Sequence, residues 1–212
     1  MKKQLNTAAY LTFALCSFNV QANLISNPGF ESGLTDWQSS GDATIRVQDP
    51  LAYEGTNYVF GQSSVTVPLG TERFKVWQDI DLLGSGFTST QIDTGNLDIV
   101  FGGWQSGWNA MDYGQISVRL LDASMVEIFG GLTSLAAFTS DHSWVEQSGI
   151  TDLLVDTRFV RYEFTGTINF GKNTDAYLDA AYLKVVPVPA AVWLFGSGLI
   201  GLIALARRKA QA

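Results

Sequence analysis

The residues best suited to chemistry fall in one Gly-rich stretch, Phe101-Gly102-Gly103-Trp104-Gln105-Ser106-Gly107-Trp108-Asn109-Ala110-Met111-Asp112-Tyr113-Gly114. Aromatic rings stack on the C–H faces of sugars, and amides and carboxylates hydrogen-bond to sugar hydroxyls. Trp104, Trp108 and Tyr113 offer the rings; Gln105, Asn109 and Asp112 offer the polar groups. The competing reading is packing, with Trp104 completing a strand that enters the core and Trp108 covering a sandwich edge. Trp37, Trp77 and Trp144 read as core or core-edge residues. His142, the one histidine, sits between Asp141 and Ser143. Adjacency in sequence is not triad geometry, and the Gly-x-Ser-x-Gly turn is missing, so His142 reads as structural or merely exposed. With one His and one Cys, a zinc site is not expected. No Walker or dinucleotide Gly motif occurs. Glycoside hydrolysis needs only two suitably placed carboxylates, but nothing singles out a pair among the 20 acidic residues.

The elements that hold this stretch read as strands. Phe74, Val76 and Ile80 share one parity, with Lys75, Asp79 and Asp81 on the other. Ile116, Val118 and Leu120 alternate with Ser117 and Arg119; Val160, Tyr162 and Phe164 alternate with Arg161 and Glu163. Each run predicts a strand with one buried and one wet face. Strands are expected near 23–30, 43–48, 57–67, 73–82, 96–104, 115–122, 125–130, 142–149, 158–169 and 176–186, with one short turn over Ser134 to Phe138. Pro68-Leu69-Gly70 and Gly84-Ser85-Gly86 mark loops. The expected fold is all-β, a jelly-roll β-sandwich over residues 23–186.

Charge separates this domain from its flanks. Residues 23–186 hold 8 basic and all 20 acidic residues, a net of −12, within a chain whose total is −7. Nucleic-acid binding is a poor fit to that sign, because phosphate contacts need Lys and Arg. Residues 1–22 read as a signal peptide: Lys2 and Lys3, an uncharged apolar run from Ala8 to Phe18, then Val20-Gln21-Ala22 for a signal peptidase. Cys16 lies inside it, so no disulfide is expected in the mature chain. Ala190 to Ala206 is uncharged and, as a helix, spans about 25 Å, a single transmembrane segment slightly short of a ~30 Å hydrocarbon core. Arg207, Arg208 and Lys209 follow it and would stay cytoplasmic, leaving the domain outside.

Pro187-Val188-Pro189, this apolar helix (190–206) and the basic Arg207-Arg208-Lys209 together resemble a PEP-CTERM sorting tail, assigned to residues 187–212. The resemblance implies recognition by an exosortase, membrane anchoring before processing, and a place at the cell surface or in an exopolysaccharide matrix. Val188 stands where the signature has Glu, a departure that bears on cleavage. A second resemblance concerns the domain. Asn23-Leu24-Ile25-Ser26-Asn27-Pro28-Gly29-Phe30-Glu31, Ala52-Tyr53-Glu54-Gly55-Thr56-Asn57-Tyr58 and Asp175-Ala176-Tyr177-Leu178-Asp179-Ala180-Ala181-Tyr182-Leu183 resemble the opening, early loop and last strand of galactose-binding-like jelly rolls, among them carbohydrate-binding modules. That likeness implies a structural Ca²⁺ held by Glu31 and Asp179, with backbone oxygens near Glu54 completing the shell. The combined expectation is an exported, non-catalytic carbohydrate-binding protein. The alternatives are a structural matrix protein acting by protein contacts, or a glycan hydrolase.

Overall fold

The computed structural model describes residues 22–63 and 68–188. Its strands are β1 (Gln38–Gly41), β2 (Ala43–Arg46), β3 (Tyr58–Gly61), β4 (Thr71–Asp81), β5 (Leu97–Gly107), β6 (Tyr113–Leu121), β7 (Glu127–Ser134), β8 (Val145–Asp152), β9 (Phe159–Ile168) and β10 (Thr174–Pro187). One short helix, α1 (Ser89–Asp93), joins β4 to β5. The strands form two antiparallel five-stranded sheets: a front sheet, β1-β4-β9-β6-β7, and a back sheet, β2-β3-β10-β5-β8. From β3 to β10 the chain passes between the sheets in jelly-roll order, and β1 and β2 add one edge strand to each.

Alternation builds the core. Along β4, Phe74, Val76 and Ile80 are buried, while Lys75, Trp77 and Asp79 lie on the outer face. β6 and β9 repeat the pattern with Ile116, Val118 and Leu120, and with Val160, Tyr162 and Phe164. Phe74 and Phe164 meet edge to face at 5.8 Å. Gly166 makes that contact possible, because a Cβ there would lie 2.1 Å from the Phe74 ring. Tyr162 carries a hydroxyl through the core, and it donates to the Gly102 carbonyl of the opposite sheet at 2.9 Å. This satisfies a fully buried polar group and pins the two sheets together.

Segment 23–30 is not a strand. Pro28 has no N–H to donate, and Asn27 and Phe30 take positive φ of 48° and 58°, so the segment turns. It still lies along β10: Leu24 N–H donates to the Leu183 carbonyl, and Ala181 N–H to that of Pro28. β1 has the sequence Gln-Ser-Ser-Gly with no apolar face, and pairing with β4 defines it. Residues 134–138 make no helical turn; Ser134 ends β7 and Phe138 bridges to Gly114. α1 starts at a capping box between Thr88 and Gln91. Pro187 is the last residue of β10, paired with Leu97, and Val188 N–H donates to the Asn96 carbonyl. The signal-peptide residues up to Gln21, Pro189, the expected helix 190–206 and Arg207, Arg208 and Lys209 lie outside the described residues. Among the described residues no helix is long and apolar enough to cross a membrane.

Candidate functional site

The Gly-rich stretch of the sequence becomes the end of β5, a tight turn and the start of β6, and its side chains part company. Trp104 points outward from the back sheet and lies under Tyr53, ring on ring, at 3.7 Å and 11°. It is neither core nor open platform. Asp112 is 2 % exposed. Its carboxylate accepts from the backbone N–H groups of Asn169, Phe170 and Asp175, so it holds the β9–β10 loop and has no side open for a ligand. Gln105 is buried and its amide has no partner among the described residues. Trp108 and Tyr113 remain exposed, and Asn109 N–H donates to Asp141. Trp108 meets the His142 ring edge to face at 4.1 Å. His142 Nδ1 contacts Asp141, while the Ser143 hydroxyl donates to the Asp141 carbonyl, which leaves the three without a nucleophile relay.

The outer face of the front sheet gathers the polar residues expected on the wet parity of β4, β6 and β9 around Trp77, a residue expected at the core or its edge. Trp77 stands there beside Glu163, its cross-strand partner on β9. Glu163 is at the centre of a row, 3.2 Å from Lys75 and 3.7 Å from Arg119, and Arg119 reaches on to Glu127 at 2.8 Å. Next along, Arg161 grips Asp79 through two parallel hydrogen bonds of 2.7 and 2.9 Å, and its guanidinium lies 5.7 Å from the Trp77 ring centre. Gln38 of β1 donates to the same Asp79. Trp77 Nε1 has no hydrogen-bond partner among the described residues. The polar contacts of these side chains stay within the face. An aromatic ring is thus bracketed by oriented donors and acceptors on three neighbouring strands.

The carboxylates expected at a cation site converge. Asp179 is fully buried; its two oxygens accept from Glu54 and Ala180 N–H. Glu31 Oε1 accepts from Thr56 and Asn57 N–H. Gly29 lies between the two acids: a Cβ on it would sit 3.4 Å from Asp179 Oδ1 and 3.9 Å from Glu31 Cγ. Gly55 takes φ +66° against the Glu31 carboxylate, where any side chain would collide. A cavity of about 420 Å³ opens beside them, lined by Asn27, Pro28, Gly29, Glu31, Glu54 and Gly55. Burial pushes the Asp179 pKa up to about 6, and the Glu31 charge adds to the rise against its backbone hydrogen bonds. No basic side chain pairs with Asp179 among the described residues. A buried, uncompensated acid beside a second one fits a hard divalent cation. Glu54 enters this site through its backbone.

No protein-family model matches the sequence, and no curated protein matches it either. Solved structures do. The chain is similar to TmCBM61, solved in complex with beta-1,4-galactotriose, at 20% identity and a TM-score of 0.52, over 77% of this chain and 99% of that one. It is similar to a Family 16 Carbohydrate Binding Module-2 at 18% identity and a TM-score of 0.53, over 76% and 99%. The enzymatically active domain of bacteriophage CBA120 tailspike protein 4 aligns at 12% identity and a TM-score of 0.56, over 77% of this chain and 21% of that one. At these identities the likeness speaks for the fold. The chain therefore has a β-sandwich fold shared with these carbohydrate-binding modules.

Proposed function

We propose that the protein is a non-catalytic carbohydrate-binding module whose front sheet takes a polysaccharide chain. The observation that carries this reading is Trp77 set among the Lys75–Glu163–Arg119 row and the Asp79–Arg161 pair. A sugar presents an apolar C–H face and a rim of hydroxyls. Trp77 matches the first, and fixed charged hydrogen-bonding groups match the second. The fold shared with carbohydrate-binding modules supports it, and so does the lack of relay geometry at His142. Each acid named on this face is paired with a basic side chain, Glu163 with Lys75 and Arg119, Glu127 with Arg119, and Asp79 with Arg161. Glu31, Asp179 and the backbone at Glu54 hold a structural Ca²⁺ in this reading, which would fix the 47–57 loop to β10. The signal-peptide pattern and the Pro187-Val188-Pro189 tail support export, exosortase recognition and residence at the cell surface or in its exopolysaccharide. The test is affinity electrophoresis through gels containing galactan, xylan or the cell's own polysaccharide. Retardation by at least one polymer is expected. Trp77→Ala and Glu163→Gln should weaken it about tenfold or more, the loss of a stacking contact and a charge-assisted hydrogen bond. Unretarded migration in all gels would overturn the proposal.

A further inference from the structure

A different corner of the molecule gathers polar groups that neither the core nor the front face uses. Arg46, the last residue of β2, lies among three aromatic rings: its guanidinium carbon is 5.4 Å from the Phe60 ring centre, 5.5 Å from Tyr177 and 5.9 Å from Trp108. Nε donates to the Gln48 carbonyl and one terminal nitrogen to the Tyr177 hydroxyl, while the other has no hydrogen-bond partner among the described residues. Tyr177 in turn donates to Asp175, which stands 3.7 Å from Arg46. Beside this hub opens a cavity of about 360 Å³, lined by the polar Arg46, Gln48, Asp49, Gln62 and Asn173 and by the apolar Ile45, Val47 and Phe60. The Gln48 and Gln62 amides have no partners among the described residues, and Asn173 uses its carbonyl oxygen on Ser63 N–H and keeps its NH₂ group.

The composition of this cavity selects its ligand. Amide groups supply donor and acceptor side by side, which is what a hydroxyl, itself both, requires. Asp49 and Asp175 offset the one cation, so the corner is not a trap for anions. Its volume is near the lower end of small-molecule pockets, which run from about 300 to 1,000 Å³, and suits a chain end better than a long polymer segment. The half-exposed Trp108 ring stands next to Arg46. We propose that this corner is a second saccharide site that takes a neutral terminal sugar unit, on the opposite sheet from the Trp77 face and independent of it. Two sites on opposite sheets would let one molecule hold two glycan chains.

His142 makes the test direct, because it is the only histidine in the chain and its ring touches Trp108. The tag-free full chain is titrated with the methyl pyranosides of galactose, glucose, mannose and xylose, and the His142 ring C–H resonances are followed by NMR. At least one sugar should shift them along a saturating curve, and Trp77→Ala should leave that curve unchanged. Gln62→Ala with Asn173→Ala should weaken it about tenfold, since two hydrogen-bonding amides are lost while Arg46 keeps its aromatic packing. No shift with any of the four sugars would overturn the proposal, as would an unchanged curve in the double variant. Loss of the shift in Trp77→Ala would show that the two places are one site. Front-face binding is read separately by gel retardation, so either can fail alone.

Discussion

Asp179 shows how much one side chain can decide. Its carboxylate is buried with no basic side chain paired to it among the described residues, and burial moves its pKa from the ordinary 3.8 up to about 6. In chelator-treated protein the folded chain therefore binds more protons than the unfolded chain between those values. Stability should fall as pH rises through that window, by roughly 2–3 kcal/mol, and level off above it. Thermal melts from pH 3.5 to 7.5 in EDTA check the sign; a melting temperature that instead climbs from pH 4 to 6 because of this residue would refute it. Saturating Ca²⁺ should recover the loss at neutral pH and raise the melting temperature by several degrees. Asp179→Asn should flatten the chelated profile and remove the Ca²⁺ response. Asp112 makes a complementary case. Asp112→Ala would leave the Asn169, Phe170 and Asp175 N–H groups without their acceptor, at a cost of about 1–3 kcal/mol in a urea melt. Sequence pointed to the Gly-rich stretch by composition, but composition could not show that Asp112 faces three amides or that Tyr53 lies over Trp104.

At the level of elements, what was legible was alternation. The wet parities of β4, β6 and β9 were read from Lys75, Asp79, Ser117, Arg119, Arg161 and Glu163, and these residues do form the outer front face. What was not legible was register. Strands 4 and 9 are some eighty residues apart, so nothing local says that Trp77 faces Glu163 or that Asp79 faces Arg161. The general tendency of Trp toward burial favours the core or its edge for Trp77, whereas its parity with Lys75 and Asp79 places it on the outer face. The Arg46 cluster is illegible for the same reason: β2, β3 and β10 converge to form it, and a short strand with one Arg carries no signal of that. Gly166 gives an element-scale check. Gly166→Ala should push the Phe74 ring from its place between the sheets and cost about 1–3 kcal/mol, read as a lower urea midpoint with an unchanged slope. An unaltered midpoint would mean that the β4–β9 packing is looser than the geometry requires.

At the scale of the whole molecule, the described residues form an acidic sandwich with one cluster of aromatic and polar side chains on the outer face of each sheet, at Trp77 and at Arg46. Residues 23–186 carry −12, which keeps copies apart and favours cations over anionic polymers. If both sites are filled by one polysaccharide, mixing should produce turbidity or gelation at a stoichiometric optimum. Trp77→Ala or the Gln62→Ala, Asn173→Ala pair should each abolish it while leaving single-site binding in place. Retained turbidity in either variant would rule out bridging by this geometry. The way the chain leaves the sandwich has a mechanical meaning. β10 lies in the interior of its sheet, between β3 and β5, and pairs with β5 nearly end to end from Ala176 to Pro187. Tension applied at Pro187 runs along that strand, across hydrogen bonds set perpendicular to it. Those bonds must break together in shear rather than one by one as in a peeled edge, so the domain should resist being pulled by its C-terminal end, as flow or a tethered neighbour would pull it.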